Sequence, residues 1–241
     1  MRCPRFFFPE LPRTAVEVAL PDSVFRHAVQ VLRLKPGSPI RLFDGQGYEC
    51  QATLVDVQRR EARVILGEQL PIATESNLSI TLLQGISRGE RMDFAIQKAV
   101  ELGVTRIMPV ITERCNAAMD SARANKRHMH WQGVIISACE QSGRSVLPEL
   151  MPVTSWIEAL SLSASCKIVL SPEATQTVRQ LQPANDLALL IGPEGGLTEL
   201  EVTQAIEYDF NAILFGPRIL RTETASAAAL AVLQSMWGDL G

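Results

Sequence analysis

Three short apolar runs in the last third of the chain end alike, with a proline two residues on: Leu170-Ser171-Pro172, Ile191-Gly192-Pro193 and Phe215-Gly216-Pro217. Proline lacks a backbone donor and disfavours helical geometry in the residue before it, so each run must leave its sheet extended before the chain turns. The apolar runs predict strands over 167–170, 187–191 and 212–215, each followed by a helical stretch. The same alternation begins upstream with a strand over 78–86. A helix follows with Met92, Ala95, Ile96, Ala99 and Val100 on one face, then a strand over 106–111 and a helix around 132–141. Such alternation predicts an α/β fold: a mostly parallel sheet with helices on both faces. Ligands of open α/β sheets bind at the carboxyl ends of the strands. One proline exit is ordinary punctuation, but three in succession predict a shared pocket.

The first part of the chain reads differently. Residues 67–77 lose apolar periodicity and gather turn formers, which predicts a connection between a domain over 1–72 and a domain over 73–241. Before it lie β-type runs over 40–43, 49–57 and 62–66, broken by Asp44-Gly45 and by the polar Gln58-Arg59-Arg60. One helix interrupts them, with Asp22 placed to cap it and Val24, Ala28, Val31 and Leu32 sharing a face. This predicts a small β-barrel-like module. In the second domain, Ser87 with Glu90 and Thr198 with Glu201 have the spacing of capping boxes.

Composition narrows the class without choosing a function. The hydrophobic fraction of 46% and charged fraction of 20% suit a folded soluble protein rather than a disordered chain. Five widely spaced cysteines with no C-x-x-C pair point to a reducing, cytoplasmic setting rather than a disulfide framework. The N-terminal apolar run of Phe6, Phe7 and Phe8 is too short for a signal peptide core, and no stretch reaches the ~20 apolar residues that span a bilayer. The net charge of −3 hides a mild asymmetry, with 10 basic and 8 acidic residues in 1–72 against 13 and 18 in the remainder. That permits a basic N-terminal face but does not by itself establish nucleic-acid binding.

The middle exit is the most informative. Gly195 and Gly196 let backbone amides approach a ligand with no Cβ in the way. The G-x-G-x-x-G spacing and the P-loop lysine pattern are both absent, so phosphate cradling is not what this loop offers. At the last exit Arg218, Arg221 and Glu223 stand at the mouth of an alanine-rich helix over 225–237, with Thr222 or Thr224 able to cap it. Arg221 and Glu223 also read as a surface ion pair of little energetic weight. His128 and His130 lie in a polar run, without cysteine partners at metal-ligand spacing, and no metal is expected. No nucleophile elbow or H-E-x-x-H pair supports a hydrolase.

Taken together, Ser87–Phe94, Ile96–Gly103, Glu113–Cys115, Ala138–Arg144, Leu190–Gly196 and Leu214–Thr224 resemble the RsmE family of bacterial enzymes, which methylate N3 of a uridine in 16S ribosomal RNA. The segments 2–5, 31–37 and 42–45 resemble it too, so the likeness spans nearly the whole chain. It implies a PUA-like β-barrel domain that binds RNA, followed by a SPOUT-type α/β domain knotted as a trefoil. It further implies a homodimer, no membrane, and 16S rRNA or the 30S subunit as partner. S-adenosyl-L-methionine would lie bent among the three exits, at Leu170 and Pro172 on the first. On the second it would meet Ile191, Gly192, Pro193, Glu194, Gly195 and Gly196. On the third it would meet Leu214, Gly216, Ile219, Leu220, Arg221, Thr222, Thr224 and Ala225. Ser171 departs from the His or Asp expected near it.

Arg221 is the candidate for stabilising charge on the uracil oxygens, with Glu223 assisting proton removal or orienting Arg221. Arg88, Glu140 and Arg144 are second candidates in the substrate cleft. Arg2, Arg5, Arg33 and Lys35 are expected at RNA phosphates. Two other readings compete: a ribose 2′-O methyltransferase of the same superfamily, whose usual asparagine and arginine motifs are absent, and a non-catalytic assembly factor that binds rRNA.

Overall fold

The computed structural model describes residues 3–14, 16–71, 74–115 and 121–241. The chain divides into two compact units, Met1–Glu75 with Cys139–Leu147, and Ser76–Ala138 with Pro148–Gly241.

The first unit holds β1 (Arg5–Phe7), β2 (Glu17–Ala19), α1 (Asp22–Phe25), β3 (Pro39–Phe43), β4 (Glu49–Val57) and β5 (Ala62–Gln69). They form one five-stranded mixed sheet in the order β1-β3-β4-β5-β2, with β1 parallel to β3 and the other pairs antiparallel. Alternation sets the core: Cys50, Ala52 and Leu54 of β4 are buried while Gln51, Thr53 and Val55 between them are exposed. Phe6, Ile40, Leu42, Val64 and Leu66 complete the apolar face.

The helix of this unit departs from expectation. Asp22 is its first residue rather than its cap, since Pro21 takes the N-cap position and no side chain caps it. After Phe25 the chain widens into a π-helical turn, Arg26–Val31, closed by the amide of Leu32 bonding to His27 O at 3.0 Å. The wider turn rotates the apolar stripe off register, so Ala28 stays buried while Val31 and Leu32 come out to solvent.

The second unit holds β6 (Ser79–Gly85), α2 (Glu90–Glu101), β7 (Arg106–Val110), most of α3 (Ser121–Ser142), β8 (Glu149–Leu150), α4 (Trp156–Leu160), β9 (Cys166–Leu170), β10 (Asp186–Ile191), α5 (Glu199–Glu207), β11 (Phe210–Ile213) and α6 (Thr222–Trp237). Six strands make a wholly parallel sheet in the order β11-β9-β10-β6-β7-β8. Both faces are covered, as alternate side chains show. Leu83 of β6 and Ala188 and Leu190 of β10 pack with Ala159 and Leu160 of α4 and Ala205 of α5. Their neighbour Gln84 points the other way and bonds to α6.

Two expectations fail here. No full helix follows β9, only a 3-10 turn at Val178–Gln180, because Pro172 and Pro183 bracket a short connection with little apolar periodicity. The Ser87 capping box does not form, because Gly89 takes the N-cap of α2 with φ 53° and Ser87 lies before the helix. No helix among the described residues is long and apolar enough to cross a membrane.

Candidate active site

The order β11-β9-β10 sets the three proline exits side by side on one edge of the sheet. Registers of Ile213 with Leu170 and of Leu190 with Val169 keep the strand ends level. At the first exit Ser171 is buried. Its amide donates to Ile213 O at 3.1 Å and its Oγ accepts the Glu173 amide at 3.3 Å, so this side chain closes the turn. The amide of Leu214 donates to Gln176 O at 2.8 Å, tying the first exit to the third.

At the second exit backbone meets backbone. A Cβ on Gly85, at the end of β6, would stand 2.6 Å from the nitrogen of Pro193, so only glycine lets this strand end pass the loop. Gly196 turns the loop with φ 69°. Arg114 Nη1 donates to Gly195 O at 2.9 Å and buttresses it from outside. The loop then enters α5 through the expected capping box: Thr198 Oγ1 accepts the Glu201 amide at 3.2 Å and Glu201 Oε2 accepts the Thr198 amide at 2.8 Å. Glu201 also accepts the Glu113 amide at 2.8 Å, fixing the loop after β7.

Glu194 serves this same packing. Its carboxylate accepts the Arg88 amide at 3.3 Å and lies 3.5 Å from Arg91 Nη1. Burial alone would raise its pKa. Bonds from its own amide, the Arg88 amide and the Ser87 hydroxyl, with Arg91 nearby, outweigh burial and hold the carboxyl below its ordinary range. Glu194 is therefore an ionised clamp on the loop between β6 and α2.

At the third exit Arg221 occupies the N-cap of α6 with an exposed side chain, and no side chain caps the helix. Neither Thr222 nor Thr224 caps. Thr222 instead sends its hydroxyl back to Gly192 O at 2.6 Å, and Thr224 is exposed. Glu223 is half-buried, and its Oε2 is sealed from solvent with no hydrogen-bond partner among the described residues. Leu214 and Leu220 are half-buried, Ala225 sits in the first turn of α6, and Ile219 is 88% exposed.

The remaining candidates lie elsewhere. Arg5 is not at a phosphate: it is buried, bonded to both oxygens of Glu49 at 3.1 and 2.7 Å, and to Cys139 O, Arg144 O and Ser145 Oγ. Arg144 is buried too, and grips Glu75 Oε2 at 2.6 Å. Both were expected at RNA, and both instead hold the first unit together. Glu140 accepts the Phe7 amide at 3.1 Å and lies 3.7 Å from His27. Burial pushes its carboxyl above its ordinary range, against the pull of that amide, His27 and Arg5. Arg33, Lys35 and Arg88 are exposed, and Arg33 adopts φ 54°, a strained conformation for a residue with a Cβ. Arg2 lies outside the described residues. Gln84, Arg114 and Ser226 were not anticipated; the one signal that could have found any of them is the polar Gln84 directly after Leu82 and Leu83 in a buried strand.

The chain is similar to known proteins along nearly its whole length. A family profile described as an RNA methyltransferase domain matches residues 74–234, and one described as an RNA methyltransferase PUA domain matches residues 20–67. Over 99% of the chain and 98% of the relative, it is 36% identical to the ribosomal RNA small subunit methyltransferase E of Buchnera aphidicola subsp. Schizaphis graminum. The chain belongs to the ribosomal RNA small subunit methyltransferase E family. The Bacillus subtilis member is 29% identical over 94% of both chains. The structure of the Neisseria gonorrhoeae member bound to S-adenosyl methionine aligns over the whole of both chains with a TM-score of 0.93 and 44% identity. A Legionella pneumophila structure with bound SAM aligns over both whole chains with a TM-score of 0.97 and 37% identity. The three exits all lie within the span matched by the RNA methyltransferase domain profile.

Proposed function

We propose that this protein transfers a methyl group from S-adenosyl-L-methionine to N3 of a uridine in small-subunit ribosomal RNA. The observation that carries the reading is the alignment of three exits on one edge of a parallel sheet in a chain of this family. The residues present fit the cofactor. Gly216 turns with φ 79° and a Cβ there would meet open space, while Gly85 and the second exit at Pro193 are in backbone contact. The exits offer backbone polar groups and apolar side chains for an adenosine, and no phosphate cradle. The unpartnered Oε2 of Glu223 suits a cationic ligand or a transferable proton better than a phosphate.

The backbone of Leu170–Pro172, Ile191–Gly196 and Leu214–Leu220 would hold the cofactor, and it supplies an electrophilic methyl on a sulfonium. The uridine imide carries a proton on N3, which must leave before the lone pair can attack. Arg221 stabilises the resulting charge on the uracil oxygens, assisted by the positive N-terminus of α6, and Glu223 assists proton removal. Arg33, Lys35 and Arg88 engage RNA phosphates. The backbone folds as a trefoil knot, and the protein acts in the cytoplasm as a homodimer, a reading favoured by the exposed Ile219, Met236 and Leu240 around α6. Light scattering tests the dimer.

The test of function is nucleoside mass spectrometry of small-subunit rRNA incubated with protein and S-adenosylmethionine. A product at N3 of uridine is expected, ribose methylation would support the 2′-O reading, and no product with tight cofactor binding would support an assembly factor. Arg221→Ala should lower the single-turnover rate at saturating RNA about 100-fold, the scale of losing one charge-stabilising donor. An unchanged rate removes Arg221 from the chemistry.

A further inference from the structure

The start of α6 carries the residues assigned to the acceptor, yet no side chain caps it. Its place is set by a buried polar chain that crosses from β6 to the second exit. Gln84 has no exposed surface. Its Nε2 donates to Thr222 Oγ1 at 3.0 Å and to Gly85 O at 3.2 Å, and its Oε1 lies 2.6 Å from Ser226 Oγ. Thr222 Oγ1 lies 2.6 Å from Gly192 O, and Ser226 Oγ is 2.9 Å from Thr222 O.

The proton directions follow from chemistry. Gly192 O can only accept, so the single Thr222 proton goes to it, and Thr222 can meet Gln84 only as an acceptor. That fixes the Gln84 amide with nitrogen toward Thr222 and oxygen toward Ser226, whose single proton then goes to Gln84 Oε1 at 2.6 Å rather than to Thr222 O at 2.9 Å. Flipping the amide would set its oxygen against Gly85 O and leave Thr222 Oγ1 without its donor. The chain therefore has one consistent arrangement, and in it the first turn of α6 is held at a fixed distance from the Gly192 carbonyl. A leucine would fill the same volume, so packing alone does not call for glutamine at this buried position of β6.

We infer that Gln84 is a positioning residue for methyl transfer, registering Arg221 and Glu223 at the head of α6 against the β10 exit. The inference rests on the proposed methyltransferase reading. Gln84 touches neither substrate nor cofactor; it acts through Thr222.

The test compares Gln84→Met, Thr222→Val, Thr222→Ser and the Gln84→Met/Thr222→Val double variant. Each is followed by calorimetry with S-adenosylmethionine and by single-turnover methylation of small-subunit rRNA at saturating cofactor. Gln84→Met is expected to bind cofactor within about 3-fold of wild type while its single-turnover rate falls about 10-fold or more. Thr222→Ser, which keeps the hydroxyl, should recover most of the rate lost in Thr222→Val, and the double variant should be no slower than the slower single one, as for two residues of one relay. If Gln84→Met fails to fold, Thr222→Val against Thr222→Ser carries the same comparison. The inference is overturned if rates hold while folding is intact, if the double loss is the product of the single losses, or if only cofactor affinity changes. A wild-type protein that makes no methylated uridine refutes the functional reading instead; active wild type with indifferent variants refutes only the role of Gln84.

Discussion

Arg5 shows what a sequence can and cannot say about one side chain. Its positive charge near the N-terminus invited an RNA contact, but charge is written in the sequence and burial is not. In the structure its guanidinium forks onto Glu49 and spends its other donors on the carbonyls of Cys139, Glu140 and Arg144 and on Ser145 Oγ. The planar fork is what lets one cation satisfy so many acceptors, and lysine could not replace it. Removing one partner of such a pair leaves an uncompensated buried charge, so Arg5→Ala should cost about 3–5 kcal/mol in chemical denaturation. Arg33 and Lys35 should behave in the opposite way. Both are exposed, so changing both to glutamine should leave stability nearly unaltered while reducing the slope of log RNA affinity against log salt by about 1.4 if each meets one phosphate of single-stranded RNA. A salt slope indistinguishable from wild type would take both side chains off the RNA.

At the scale of elements, legibility followed the number of residues that had to agree. β4 and β10 were readable because six to nine residues repeat one burial pattern, whereas β1, β2 and β8 have two or three residues each, too few for any period to emerge. The two capping boxes make the same point about context. Thr198 and Glu201 form theirs, while Ser87 and Glu90 have the same spacing, but Gly89 with φ 53° ends the approach in a different turn and Ser87 bonds toward Gly85 and Glu194. A local motif forms only when nothing nearby competes for its atoms. The three exits were legible because proline acts through its own backbone, whereas the relay from Gln84 to Gly192 joins residues 108 apart in sequence and no local pattern encodes it. Gly85 tests the contact between strand ends. Its Cβ would collide with backbone rather than a movable side chain, so Gly85→Ala must displace the second exit. Calorimetry should show cofactor affinity reduced at least about 10-fold, with a destabilisation of about 1–3 kcal/mol typical of overpacking. Wild-type affinity would mean that the loop can shift without disturbing the pocket.

For the molecule as a whole, the first unit holds two carboxyls, Glu49 and Glu140, whose shifts run in opposite directions. Burial would raise the Glu49 carboxyl, yet its bonds from Arg5 and Ser145 and the field of Arg5 and Arg41 hold it below its ordinary value of 4.5. A depressed folded pKa means that the unfolded chain takes up a proton first, so this stabilisation is present above 4.5 and is lost as pH falls through the lower folded value. Glu140 has the opposite sign. Burial raises it above 4.5, so the folded state protonates first, and a fall in pH through that raised value makes the first unit more stable. Urea midpoints measured downward from neutral pH should therefore rise slightly before they drop. Glu140→Gln should abolish the rise and keep the drop, because it leaves the Arg5–Glu49 pair intact. Glu49→Gln should lower the midpoint at neutral pH, where it leaves Arg5 buried without its counter-charge, and flatten the acid limb. An acid limb of unchanged steepness in Glu49→Gln would shift the source of acid sensitivity to the second unit, where Glu158 in the capping box of α4 and Glu194, bonded to the loop between β6 and α2, also have depressed values.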